Sequence, residues 1–304
     1  MRSRSIQIQH VSKSFGTVQA LNDINLQIEE GQLFGLIGPD GAGKSTLFRI
    51  LTSLLIPDAG EAIVAGYHTV RDYRKLRKIV GYMPGRFSLY QDLSVEENLT
   101  FFATIFGTTI QANYHLVGDI YRQLEPFKKR KAGQLSGGMK QKLALCCALI
   151  HEPEVLFLDE PTTGVDAVSR AEFWDMLKSI KSTGITIVVS TPYMDEAARC
   201  ESIALIDDGQ ILKIDRPVDI VSDYPYPLFA VKGEPFYQLL QGLRTQAFTA
   251  RVEPFGEYLH LSLHLEYEVI DIWNYLTNSE FQAVEVQKIG ANIEDVFLEL
   301  MTPE

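Results

Sequence analysis

The chain has 304 residues, 46 % hydrophobic and 22 % charged, which is the composition of an ordinary globular protein with room for one large domain or two moderate ones. Its net charge is −11, and from Tyr226 onward four Lys/Arg face twelve Asp/Glu, so the acid excess sits near the C-terminal end and disfavours a nucleic-acid partner. The longest apolar run, Leu143 to Ile150, is too short for a membrane span. No apolar stretch follows the basic start, so no signal peptide is expected, and Cys146, Cys147 and Cys200 lack the spacing of a zinc site or disulfide scaffold.

In chain order, residues 5 to 37 alternate apolar and polar positions around turn residues and predict short strands, among them Ile24 to Ile28 and Leu33 to Ile37. A glycine-rich turn follows, then a helix from about Lys44 to Ser53. Pro57 to Gly60 predicts a turn into a strand near Ala62 to Val64. Residues 94 to about 131 read as helices, with Ser94 and Glu97 in the spacing of a capping box. Lys128 to Lys131 is a basic run, read first as a solvated face. Val155 to Leu158 and Ile185 to Val189 have the short apolar character of parallel strands covered on both faces. Alternation of such strands with helices predicts an α/β core.

Ile185 to Val189 ends at Ser190-Thr191-Pro192, and a helix-like stretch follows. Asp215 to Pro227, with three prolines, predicts a linker. Beyond it, strands at Leu228 to Lys232, Phe248 to Val252, Tyr258 to Leu263 and Ala283 to Lys288 are expected. Helices are expected at Pro235 to Leu243, Val269 to Leu276 and from about Asn292. That β-α-β-β-α-β order is the ferredoxin-like motif, a small α+β domain. His260 and His264 would share a strand face, with a structural role the plainer reading.

The strongest chemical signal is Gly38-Pro39-Asp40-Gly41-Ala42-Gly43-Lys44-Ser45-Thr46, which fits G-x-x-x-x-G-K-[ST] between a strand and a helix. Glycines let the backbone turn several N–H groups toward one anion, and the helix N-terminus adds positive potential. Lys44 is assigned to the β- and γ-phosphates of a nucleotide and Ser45 to Mg²⁺. Val155 to Leu158 delivers Asp159 and Glu160 at a strand end, where α/β folds bind ligands. Asp159 would hold Mg²⁺ through water, and Glu160 would orient and deprotonate an attacking water.

Leu135-Ser136-Gly137-Gly138-Met139-Lys140-Gln141-Lys142 resembles the signature loop of ABC-transporter ATPases. The resemblance covers about residues 5 to 215. It implies that Ser136, Gly137 and Gly138 cap the γ-phosphate held by another subunit, in a head-to-tail dimer closing on two Mg-ATP. Phe15 matches the adenine-stacking aromatic, and Thr163 to Asp166 matches the loop that crosses the dimer interface, so Asp166 joins the nucleotide-binding set. Ala291 to Leu298 resembles the ending of ATPases of ABC-2-type exporters, a subfamily that includes multidrug and polysaccharide exporters.

The implied organisation is a P-loop ABC ATPase domain over residues 1–217, with an antiparallel β subdomain and a helical subdomain at about 90–140. A C-terminal accessory domain would occupy 218–304. The implied partners are an ABC-2-type membrane permease and a second ATPase chain, identical or different, with no nucleic acid. The implied location is the cytoplasmic face of the plasma membrane, held there through the permease alone.

Two positions depart from the family pattern. Pro192 stands where the family has a histidine on the γ-phosphate, and Gly85 stands where it has a glutamine that contacts Mg²⁺ and the attacking water. Gln91 lies several residues too late. Losing one preorganised transition-state donor costs on the order of 10²–10³ in rate, about 3–4 kcal/mol. The accounts that follow are a slowed ATPase, local repair by Arg86, Ser88 or Thr191, or completion of one site by a different ATPase subunit. Rival functions are an ATP-gated regulatory module, and a non-transport ABC ATPase of DNA repair or translation. The latter lacks support, since no long coiled-coil insert or second ATPase domain is seen.

Overall fold

The computed structural model describes residues 4–279 and 281–301. These fall into two compact units that divide after Pro217.

In the first unit, β1 (Arg4–Phe15) and β2 (Val18–Glu29) form an antiparallel hairpin. β4 (Ala59–Val64) pairs with β1, and the short β5 (Tyr67–His68) pairs with β4, giving a four-stranded sheet in the order β2-β1-β4-β5. β1 and β2 run twelve residues each, longer than the expected strands. Register shifts between Ile8 and Val11 and again near Lys13 break the two-residue alternation on which a sequence reading depends.

The second sheet has six strands in the order β10-β9-β3-β8-β7-β6. These are β3 (Leu33–Ile37), β6 (Val80–Met83), β7 (Val155–Asp159), β8 (Thr186–Thr191), β9 (Ser202–Asp207) and β10 (Gln210–Asp215). All are parallel except β10, which turns back along β9. Every residue of β3, β7 and β8 is buried, as expected for parallel strands covered on both faces. Because β8 lies between β3 and β7, the C-terminal ends of these three strands sit side by side.

The helices of this unit are α1 (Lys44–Leu51), α2 (Tyr73–Ile79), α3 (Val95–Ile105), α4 (Tyr114–Leu124), α5 (Gly137–Leu149) and α6 (Ala167–Lys181). Between β6 and β7 the chain is helical, with α3 and α4 packed on α5. Ser94 and Glu97 form the capping box: Ser94 Oγ accepts the Glu97 N–H, and Glu97 accepts the Ser94 N–H at 2.8 Å. Phe48 meets Phe157 edge-on at 5.4 Å in the core beneath α1. After β8 the helix-like stretch is a 3-10 helix, Met194–Arg199, not an α-helix. The expected linker is not wholly irregular either, since Pro217 opens α7 (Pro217–Ser222), a position where its missing N–H costs nothing.

The second unit holds β11 (Leu228–Glu234), α8 (Phe236–Arg244), β12 (Thr249–Phe255), β13 (Tyr258–Leu263), α9 (Val269–Thr277), β14 (Gln282–Ile289) and α10 (Ile293–Leu300). Its antiparallel sheet has the order β12-β13-β11-β14, the split arrangement of the ferredoxin-like motif. Leu239 and Leu243 of α8 and Ile272 of α9 pack on Val231, Leu259 and Leu261. His260 does not share a strand with His264, because β13 ends at Leu263. His260 stacks on Phe255 at 3.9 Å, and its Nδ1 lies 2.7 Å from Asp295 Oδ1, the carboxylate that also caps α10.

Ser94→Ala removes one half of the α3 capping box and is expected to lower the stability of the first unit by about 1 kcal/mol. Denaturant unfolding followed by the buried Trp174, in a Trp273→Phe background, reads this directly.

Candidate functional site

The loop from Gly38 to Gly43 carries the chain from β3 into α1. A Cβ at Gly38 would lie 2.0 Å from the Ile206 carbonyl oxygen, and one at Gly43 would lie 2.5 Å from that of Ala20. Gly43 also has φ of 100°, a left-handed backbone that disfavours any other residue. These constraints let α1 start abruptly at Lys44, with no side chain capping its first N–H groups and no acid in its first turn. The helix end is therefore free to meet an anion. Pro39 is partly buried, Asp40 and Gly41 are exposed at the loop tip, and Ala42 is buried beneath it.

Lys44 is almost sealed, at 3 % exposure. Its Nζ donates to the carbonyls of Gly38 and Pro39, each at 2.8 Å, and lies 3.4 Å from Glu160 Oε1. Ala20, Gly41, Gly43, Lys44, Ser45, Thr46 and Glu160 line a cavity of about 150 Å³. The phosphate loop and the acid at the end of β7 thus face one space.

Asp159, buried at the end of β7, accepts hydrogen bonds at Oδ1 from Ser45 Oγ at 3.1 Å and from Ser190 Oγ at 2.6 Å. Its Oδ2 lies 3.4 Å from the Tyr82 hydroxyl. Glu160 follows with φ of 49°, left-handed for a residue with a side chain. Its N–H donates to both the carbonyl and the hydroxyl of Ser190, at 3.0 Å each. Such conformations cost on the order of 1–3 kcal/mol and persist only when the surroundings impose them. Here the imposing contact is the Ser190 pair.

Among the described residues no three His, Cys, Asp or Glu side chains converge as a metal cage. Mg²⁺ seldom uses one, taking one or two carboxylates together with substrate phosphates. The neighbouring oxygens of Ser45 and Asp159, at the mouth of an anion-binding loop, fit that manner of binding.

Ser136, Gly137 and Gly138 lie elsewhere. Ser136 caps α5, accepting the Met139 N–H at 3.4 Å. A Cβ on Gly137 would lie 3.4 Å from the Gly164 carbonyl oxygen, and one on Gly138 would lie 2.9 Å from Ser169 Oγ, so the signature loop packs on the segment that opens α6. Asp166 caps α6, and the N–H groups of Ser169 and Val168 hold its carboxyl below the usual range. Neither this group nor Phe15, half-exposed at the end of β1, lines the phosphate cavity.

Gly85 sits over the acids: a Cβ there would lie 3.1 Å from the Asp159 carbonyl oxygen and 3.7 Å from Glu160 Cβ. Pro192 follows β8 immediately. Thr191 is not available for local repair, because its hydroxyl donates to Glu196 Oε2 at 2.6 Å and accepts the Tyr193 N–H. Glu196 is 3 % exposed and also accepts from Thr162 Oγ1 at 3.1 Å. Arg170 Nε lies 3.9 Å from its other oxygen, and the Arg170 guanidinium lies over the Tyr193 ring. Sequence reasoning missed Ser190, Tyr82 and Glu196. The available signals were polar residues closing an apolar strand, and an acid followed by two alanines.

Glu196→Ala would leave the buried hydroxyls of Thr162 and Thr191 without their acceptor. A loss of about 1–3 kcal/mol in stability is expected, with Glu196→Gln costing less, both read by thermal unfolding.

The sequence matches the family described as ABC transporter over residues 21–163. It is 40 % identical over 217 residues to the probable multidrug ABC transporter ATP-binding protein YbhF of Escherichia coli K12; the match covers 71 % of this chain and only 38 % of YbhF. With the Nod factor export ATP-binding protein I of Burkholderia lata it is 39 % identical over 307 residues, covering 97 % of this chain and 96 % of that protein. Among solved structures, cbiO1 from Clostridium perfringens, part of the ABC transporter complex cbiONQ, superposes with a TM-score of 0.65 at 25 % identity, covering 72 % of this chain and 91 % of that one. A dimeric ATP-binding cassette solved with ADP and Pi gives 0.63 at 27 % identity, covering 69 % and 98 %. A phosphate loop, an acidic pair at a strand end and a signature loop on this fold, with a relative matched along nearly its whole length, place the chain in the ABC transporter family as an ATP-binding subunit.

Proposed function

We propose that the chain binds and hydrolyses ATP to power an ABC-2-type membrane exporter of drugs or other small hydrophobic or lipid-like molecules. The observation that carries this is that Lys44, Ser45 and Glu160 line one small cavity at the mouth of the phosphate loop, with Asp159 hydrogen-bonded to Ser45 beside it. Lys44 leaves the carbonyls of Gly38 and Pro39 to meet the β- and γ-phosphates. Ser45 and Asp159 would hold Mg²⁺, which when bound would supply charge neutralisation at the transferring phosphoryl group. Glu160, fixed through its N–H to Ser190, orients the attacking water and takes its proton.

Ser136 to Gly138 and Asp166 lie together but off the chain's own cavity, which suits a head-to-tail dimer in which each chain completes its partner's site. Phe15 is exposed enough to stack on adenine. No described helix is long and apolar enough to cross a membrane, so in this reading the transport path belongs to a permease. That permease docks over Gly85 to Glu97 and the helices that follow, and holds the chain at the cytoplasmic face. The second unit serves as the accessory domain.

Hydrolysis is slowed in this reading. Neither Gly85 nor Pro192 offers a side-chain donor, Thr191 is committed to Glu196, and Ser88 lines a separate apolar cavity, which leaves Arg86 as the exposed substitute. The same two residues favour a second reading, an ATP-gated module that binds with little turnover.

Steady-state turnover with Mg²⁺ separates the two. In the first reading Glu160→Gln abolishes a measurable rate, and Gly85→Gln with Pro192→His raises the rate by about 10²-fold. A natural chain no faster than Glu160→Gln, yet still binding ATP, establishes the second. Lys44→Ala is expected to weaken ATP binding in either.

A further inference from the structure

A second cavity in the first unit, of about 380 Å³, lies between β6 and the helical segment. Its walls are mainly apolar and include Leu89 and Phe106, with Ser88 and Ala144 also on the lining. Tyr82 is the member of this wall that also touches the candidate catalytic centre. Tyr82 lines the cavity and also packs on the core that holds Val80 and Phe157, while its hydroxyl lies 3.4 Å from Asp159 Oδ2.

We propose that Tyr82 is a positioning residue that couples the packing of this apolar cavity to the Asp159 carboxylate, and so to Mg-ATP. The proposal deepens the ATP-driven reading above and rests on it. The residues on the page support it in three ways. First, Gly85 has no side chain with which to reach the acids, whereas Tyr82, three residues earlier on β6, brings its hydroxyl to Asp159. Second, Ser88 and Leu89 belong both to the cavity wall and to the segment proposed to meet the permease, so a shift of that segment reshapes the cavity that Tyr82 also lines. Third, the other oxygen of Asp159 is held by Ser45 and Ser190, so a pull on Oδ2 turns the carboxylate relative to the Ser45 hydroxyl.

The geometry suits a relay. An aromatic ring is rigid and has only two side-chain torsions, so displacement at its edge is transmitted to the hydroxyl. At 3.4 Å the contact is longer than the usual 2.5–3.0 Å of an O–H···O bond, so a sub-ångström shift makes or breaks it.

The test is a double-mutant cycle read by equilibrium binding of a fluorescent ATP analogue to the full chain, with and without Mg²⁺. Ala144→Phe fills the cavity, and Tyr82→Phe keeps the ring but removes the hydroxyl. Cavity filling is expected to change Mg-nucleotide affinity by about 5-fold in the natural background. In the Tyr82→Phe background the change is expected to fall within about 2-fold. Without Mg²⁺ both changes should shrink together, a dependence that a purely packing role would not show. If Ala144→Phe does not fold, Ser88→Phe on the exposed rim replaces it. Equal changes in both backgrounds, or none in either, overturn the relay while leaving the ATP-binding reading intact. Absence of Mg-dependent nucleotide binding by the natural chain overturns both.

Discussion

A buried carboxyl is tolerated only when its oxygens find partners, and Asp159 finds them on three separate elements: Ser45 on α1, Ser190 on β8 and Tyr82 on β6. The contact with Ser190 organises the others. Through its hydroxyl and carbonyl it fixes both the Asp159 side chain and the Glu160 N–H, so the ends of β7 and β8 are joined beyond the last rung of the sheet. The phosphate loop is then positioned by strand order alone. β3 lies on the other side of β8, and Gly38 continues that register through its N–H to the Thr191 carbonyl.

Lys44 shows how the loop satisfies a buried charge. A sealed ammonium needs acceptors, and it takes them from the loop it serves and from Glu160. In the proposed function a phosphate would therefore exchange one set of acceptors for another and would not meet an unpaired charge. The glycines at 38 and 43 make this possible, because the loop can curl tightly enough for its own carbonyls to reach the lysine.

Much of this was legible in the sequence because the information was local. The phosphate loop, the runs Leu33 to Ile37 and Val155 to Leu158, the capping box at Ser94 and the strand-helix order of the second unit each lie within a short window. What escaped depends on distance along the chain. Glu196 matters because Thr162, 34 residues earlier, and Thr191 both point at it. Tyr82 matters because the end of β7 brings Asp159 to it from 77 residues away. The hairpin of β1 and β2 was underestimated for another reason: its irregular register breaks the period that marks a strand. His264 was grouped with His260 by period alone, and the strand stops one residue too soon.

The left-handed backbone of Glu160 sets stability against chemistry at one position. A glycine there would adopt the same φ without strain, so backbone conformation alone would favour glycine at that point, although the buried Lys44 would lose a carboxylate partner. The chain retains a carboxylate where its backbone would rather have no side chain. Relief of that strain would remove both the acid that the proposed hydrolysis needs and a partner of the buried Lys44, so one carboxylate ties the resting fold to the proposed chemistry.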